Sequence, residues 1–324
     1  MSKSNIQVGG QAVIEGVMMR SHDTYAVAVR RQDGSIYVRQ RPFVSFVKRY
    51  RVLALPLLRG AVVLVESLIL GIQALSFSGD VVMEEERLKD PDNLAAKPSA
   101  ASEKSVWAKV WFGSTVVFSL AIGLFIFFYV PLLLTELLGA KTGFAFNLVD
   151  GVLRLVIFLL YLVAITLMKD IRRIFEYHGA EHKSIFAFES KKKLVPAVAK
   201  TFTRFHPRCG TSFLLIVMIV SIFVFMFLGK PEDVGDRLLR LAFIPLIGGI
   251  SYEFIRLSDA GSRINFWKPF IAPGLWLQRL TTKEPDESQL EVAIVALKCA
   301  LKMSTSDHPD VVFEHESMQM QRAS

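Results

Sequence analysis

Apolar positions along this chain come in blocks, which differ in length and in what interrupts them. Val110 to Thr135 is uncharged over 26 residues and Cys209 to Gly229 over 21. At 1.5 Å per residue, each predicts a helix long enough for the roughly 30 Å hydrocarbon core of a bilayer. Leu155 to Met168 is uncharged over 14 residues. It becomes a full span, about 147–168, by taking in Asp150 and Arg154, which stand at i,i+4 and offset one another. Leu238 to Leu257 is also long enough, but Pro245, Gly248 and Gly249 predict a bend or a tight helix contact, and it carries Arg240, Glu253 and Arg256. Leu53 to Ser78 holds Pro56, Arg59, Gly60 and Glu66, so a simple span there would bury two ionised groups.

Outside these blocks the periods change. Over 11–40, Tyr25, Val27 and Val29 alternate with smaller or polar residues, Asp33-Gly34 is a hairpin turn, and Ile36 and Val38 resume the alternation. Residues 88–104, rich in Pro, Ser and Ala, read as a linker. Residues 264–278, with Trp267, Phe270 and Trp276 around Pro269 and Pro273, suit an interfacial segment. A helix is expected from Pro285, with Leu290, Ala293, Ile294, Leu297 and Leu301 as its apolar stripe.

Composition narrows the class. Hydrophobic residues make up 52% of the chain and are clustered, which excludes a soluble enzyme and a disordered chain. Two cysteines, Cys209 and Cys299, supply neither a disulfide framework nor a cysteine-only zinc site. MSKSNIQVGG has no hydrophobic core of a secretory signal. The net charge of +8 is distributed by segment: Lys and Arg number nine in 1–51, five in 81–110, one in 136–147, ten in 169–210, three in 229–240 and eight in 256–324. The positive-inside rule then predicts four spans with both termini cytoplasmic, and 53–78 re-entrant or in the interface. No nucleic-acid module is present, so the bilayer is the expected partner, with Lys191-Lys192-Lys193 facing anionic lipid headgroups.

The expected fold class is mainly α: a polytopic membrane helix bundle with a small N-terminal β-sheet element and a C-terminal soluble helix. Its parts are a cytoplasmic β element (1–51), a re-entrant or interfacial segment (52–80), a cytoplasmic linker (81–109) and a four-span domain (110–257). A cytoplasmic loop at 169–210 interrupts that domain; an interfacial segment with an amphipathic helix (258–304) and a disordered tail (305–324) follow it.

Candidate chemistry gathers in the 169–210 loop. A helical continuation of the 147–168 span puts Ile171, Ile174, Phe175, His178, Glu181, His182, Ile185 and Glu189 on one face, with Gly179 and Ala180 turned outward. Burying two imidazoles and a carboxylate costs several kcal/mol, about 2–7 for each unpaired polar group, and a metal ion would offset it. His178-Gly-Ala-Glu181-His182 fits H-x-x-E-H: two imidazoles four apart can share one zinc, and the carboxylate between them can serve as base. His206 and Cys209 stand before the 210–229 span, and Glu253 near the same end of the last one. Two arrangements are open: a closed structural site of His178, His182, His206 and Cys209, or an open catalytic site with Glu181 free and His206, Cys209 or Glu253 as third ligand. A hydrogen-bonded His pair without metal is the third alternative.

Five spaced segments carry a resemblance: GGQAVIEGVMMRS (9–21), EYHGAEHKSIFAFE (176–189), HPRCGTSF (206–213), SYE (251–253) and LTTKEPDESQLEVAIVAL (280–297). Together they resemble the bacterial YqhQ-like family, the domain of unknown function 1385. The resemblance implies a bacterial cytoplasmic (inner) membrane protein and a predicted metal-dependent enzyme with no settled reaction, its metal falling on His178, Glu181, His182, His206 and Cys209. The likeness to inverted zinc peptidases is local, and this chain has no such soluble α/β fold. The expected function is a metal-dependent hydrolase acting on a membrane-associated substrate. The alternative is a non-enzymatic membrane scaffold or transport component with a structural zinc site.

Overall fold

The computed structural model describes residues 8–89, 106–140, 142–260, 266 and 268–314. Most of the expected linker, Trp267 and the tail from His315 onward lie outside the described residues.

The alternation at 11–40 folds as a meander of β1 (Gly9–Val13), β2 (Gly16–Arg20), β3 (Thr24–Arg30) and β4 (Ile36–Pro42), antiparallel throughout. Gly34 takes the positive φ that the Asp33-Gly34 turn requires. The β3–β4 register sets Val29 opposite Tyr37 and Ala28 opposite Val38. Val27 and Val29 therefore face one side of the sheet, and Ile36 and Val38 the other. Both faces are apolar, so both must be covered.

The helices follow in order. A single turn, α1 (Phe46–Arg49), precedes α2 (Leu58–Lys89). Next, α3 (Val106–Leu124) runs through a π turn at Phe125–Tyr129 into α4 (Val130–Leu137). Then come α5 (Gly143–Thr166), α6 (Lys169–Glu189), the short α7 (Pro196–Ala199) and α8 (Gly210–Leu228). The last are α9 (Val234–Ala242), α10 (Ile244–Ala260), α11 (Lys268–Thr281), α12 (Glu287–Ala300) and a final strand, β5 (Val311–Phe313).

Among the described residues, five stretches are long and apolar enough to cross a membrane: Leu58–Arg87, Gly113–Leu137, Gly143–Thr166, Gly210–Leu228 and Val234–Ser258. Four coincide with the spans read from the sequence. The last breaks at Phe243, beside Pro245, and its Gly249 meets α2 so closely that an added Cβ would lie 2.4 Å from the Leu57 carbonyl oxygen. The predicted bend and the predicted tight contact are therefore both present. The fifth stretch removes one of the two expected alternatives: 58–89 is one unbroken helix of 32 residues, with none of the chain reversal that a re-entrant segment needs, and the interfacial alternative stays open.

Three further expectations are corrected. The 147–168 span does not continue into the loop helix, because α5 caps at Leu167 and Met168 is extended; the break lets α6 leave the bundle and pack on the sheet. The helix from Glu287 is not an amphipathic surface helix. It packs against the sheet and, beside it on the same face, against α6, buried on almost every side from Gln289 to Ala300, behind a capping box of Asp286 and Gln289. The chain from 305 is not all disordered. β5 pairs in parallel with β4, Val311 opposite Ile36, while Lys298 Nζ reaches Asp307 at 2.5 Å and His308 Nδ1 reaches Glu291 at 3.2 Å.

A three-layer unit results: α2 on one face of the sheet, α12 and α6 on the other. Since β5 pairs with β4, residues 36–38 and 311–313 necessarily share one side of any membrane.

Within the bundle, Arg154 Nη2 donates to Asp150 Oδ2 at 2.8 Å, the predicted i,i+4 pair. Arg240 of α9 donates to Asn147 Oδ1 at 2.7 Å and to the Gly229 carbonyl at 2.5 Å. Arg154→Leu leaves Asp150 buried with its nearest counter-charge gone. The substitution is expected to destabilise by about 3–5 kcal/mol, read as a lower midpoint of thermal unfolding in detergent.

Candidate metal centre

α6 carries three of the candidate groups, and a second helix supplies the fourth. His178, Glu181 and His182 sit within two turns of α6, and the two imidazoles meet Cys209, the N-cap residue of α8. His178 and His182 lie with ring centroids 4.5 Å apart, and Cys209 Sγ is 3.2 Å from His178 Nε2. One ligand atom from each of His178, His182 and Cys209 lies within 4.8 Å of the others. Donors on one tetrahedral zinc at ordinary bond lengths stand roughly 3.3–3.6 Å apart, so these three could hold an ion after a modest approach of their side chains.

Each imidazole is oriented from behind by a backbone carbonyl. His178 Nδ1 donates to the Thr281 oxygen at 2.8 Å, and His182 Nδ1 to the Arg204 oxygen at 2.5 Å. A carbonyl oxygen only accepts, so both rings are protonated at Nδ1. That leaves Nε2 as the ligand atom on each, turned toward Cys209. The same device orients metal-binding histidines generally.

Glu181 is buried against β1: a Cβ on Gly10 would lie 2.9 Å from its Cγ. Burial pushes its carboxyl above the ordinary range, and the two imidazoles pull it back. Burial opposes ionisation of both Cys209 and His178, yet their mutual attraction prevails. It holds the thiol well below its usual range and raises His178 to about 9.

The remaining candidates are placed elsewhere. His206 lies near His182, ring centroids 5.6 Å apart and planes inclined by 40°, but its Nδ1 accepts from the Arg208 N–H at 3.2 Å and its Nε2 lies 3.5 Å from Glu189. Glu253 is paired with Arg59 of α2 at 2.5 Å, and Arg256 is 3.8 Å away. Glu66 accepts from Ser45 Oγ and the Phe46 N–H. His22 is exposed beside Asp23 and Lys48. The outward placement of Gly179 and Ala180 is also corrected: both are buried, and a Cβ on Gly179 would lie 2.1 Å from the Lys283 oxygen.

Sequence reasoning missed the groups that position the site. Gln278 of α11 is fully buried; it donates to the His206 carbonyl at 2.8 Å and to Ser212 Oγ at 2.9 Å, and accepts from the His206 N–H at 2.8 Å. It ties the loop before Cys209 to α8 and α11. A lone glutamine in an apolar helix was the available signal. The Thr281 and Arg204 carbonyls, being backbone, left none.

The family model described as "Protein of unknown function (DUF1385)" matches residues 55–303. The Bacillus subtilis (strain 168) protein named "Uncharacterized protein YqhQ" is 34% identical over 314 residues, covering 94% of this chain and 95% of that one. No solved structure matches the chain.

Proposed function

The chain belongs to the family of unknown function DUF1385, and we propose that its His178, His182 and Cys209 hold a divalent ion, zinc, in a membrane-bound hydrolase. One observation carries the reading: both imidazoles spend Nδ1 on backbone carbonyls and present Nε2 toward one sulfur. Two nitrogens and a thiolate are a donor set that suits zinc. Three protein ligands leave a fourth position open, as a catalytic site requires; a structural zinc that locks helices in a scaffold or transport component wants a fourth ligand, and His206 is engaged with Arg208 and Glu189.

The ion's contribution when bound is Lewis acidity, which makes water a nucleophile near neutral pH. The rest is done by this chain. Glu181, one residue before His182 and raised by burial, takes the proton of the attacking water and returns it to the leaving group. Cys209 stands at the start of α8, at the end of a membrane-crossing stretch, and the proposed substrate is one reached at the membrane surface or from the inner leaflet, as a lipid-linked or peptide group. Sidedness rests on the basic segments, which place this face and both termini in the cytoplasm. Lys191, Lys192 and Lys193 line a cavity of about 520 Å³ with Lys298 and offer contacts to anionic headgroups.

The test is metal analysis of purified protein with Glu181→Gln beside it. Stoichiometric zinc in both, with turnover lost only in the variant, is the expected result. Full function in Glu181→Gln with zinc retained would return the scaffold reading.

A second reading is favoured by the same contact seen differently. Cys209 stands at a helix N-terminus, with His178 Nε2 at 3.2 Å and the Thr281 carbonyl behind that ring. Nucleophile, base and orienting group are then in line for thiol catalysis. Metal-free purified protein that loses function on alkylation of Cys209 would select it.

A further inference from the structure

We infer that α2 does not cross the bilayer but lies in its plane at the boundary between headgroups and acyl chains, with the lipid surface covering its free apolar stripe. The helix is apolar on two opposite sides. Leu70, Ala74, Phe77 and Val81, spaced four, three and four apart, are buried beneath β1, β2 and β3. Leu58, Val65, Leu68, Ile69, Leu75 and Met83 fall on the opposite side at helical spacing, each at least 45% exposed.

Two observations identify what covers that second stripe. First, the opening turns of α2 are gripped by α10: Gly60 would place a Cβ 2.9 Å from Gly249 Cα, and Arg59 Nε donates to Glu253 at 2.5 Å. The stripe thus continues the lipid-facing surface of the bundle. The segment leading into it is exposed and of interfacial composition, with Phe46, Tyr50, Val52 and Leu55 beside Arg49 and Arg51. Second, from Glu66 onward the other side carries β structure. Ser45 Oγ donates to Glu66 at 2.9 Å, and the Gln32 N–H donates to Glu85 at 3.2 Å. Those contacts cover about 30 Å of helix. A sheet with open edges does not reside in hydrocarbon, so a spanning α2 would have to carry it there. Lying flat, α2 meets lipid below and the sheet above.

The chain then crosses four times, and the nine basic residues of 1–51 stay on the side of the 169–210 loop. This inference does not depend on what His178, His182 and Cys209 bind.

The experiment is nitroxide depth measurement on the full chain in phosphatidylcholine–phosphatidylglycerol vesicles. Cysteines are introduced singly as Leu58→Cys, Val65→Cys, Leu68→Cys, Leu75→Cys and Met83→Cys. The native Cys209 and Cys299 are buried, and the labelled parent gives the background. Collision with oxygen against a nickel chelate is expected to place all five labels within about 10 Å of one depth, just below the headgroups. Labels spread over about 38 Å, with the deepest in mid-helix, would show a fifth span and overturn the inference. Labels shielded from both quenchers, or exposed to the chelate alone, would mean that protein or water covers the stripe, and would overturn it equally.

Discussion

His182→Ala is expected to abolish stoichiometric metal binding while leaving the helices in place. Losing only the partner behind a ligand costs about 10–100-fold in metal affinity, and losing the ligand itself costs more. His182 gives Nε2 to the cluster and its Nδ1 proton to the Arg204 carbonyl, so the alanine removes a ligand and frees one loop oxygen. Metal content after dialysis against a weak chelator, with circular dichroism as the control for fold, reads the result. Cys209→Ser is expected to lower affinity in the same direction, because a hydroxyl is a poorer zinc ligand than a thiolate. Unchanged metal in both variants would remove the proposed centre. The thiol reading gives the opposite pattern, with no metal in the parent chain and lost function in Cys209→Ser.

Gly179→Val is expected to be strongly destabilising. The glycine lies inside the motif, yet it serves neither metal nor base. It is the point at which α6 passes the backbone at Lys283: an added Cβ would be 2.1 Å from the Lys283 oxygen and 3.3 Å from Pro285 Cδ. Lys283 N donates to the Phe175 carbonyl at 2.8 Å, so this segment cannot shift without breaking its hydrogen bond to α6. Overpacking against a mobile side chain costs about 1–3 kcal/mol; against backbone it reaches the upper end or beyond. Poor recovery of folded protein, or a large drop in the thermal midpoint, is the expected outcome. A variant as stable as the parent would mean that the α6–Lys283 approach is looser than described.

What was legible in the sequence depended on whether a pattern pointed one way. Val110 to Thr135 and Cys209 to Gly229 are uncharged runs with a single physical reading, and both are helices. Pro245 and Gly249 announced a break and a close approach, and both are there. α2 was harder because its two apolar sides, one for the sheet and one uncovered, add up to the hydropathy of a span although neither side alone would. α12 reads as amphipathic because Gln289 and Lys298 interrupt it. Both are buried with partners instead, Gln289 donating to Glu176 at 3.0 Å and Lys298 to Asp307. At the site, residue type and spacing brought out His178, His182 and Cys209, since helical periodicity fixes which side chains can meet. His206 stands as near in sequence, but the Arg208 N–H and Glu189 take up its ring, and sequence spacing cannot show such competition.

The pairing of β5 with β4 has a bearing on biosynthesis. β4 emerges early, whereas α12 and β5, which close its sheet, are translated some 250 residues later, after every membrane-crossing stretch described above. Until then Ala26, Ala28, Ile36 and Val38 have no α12 against which to pack. A chain cut short before Glu287 would therefore complete its insertion but present a bare β surface, a form that quality-control proteases recognise and that aggregates through unpaired strands.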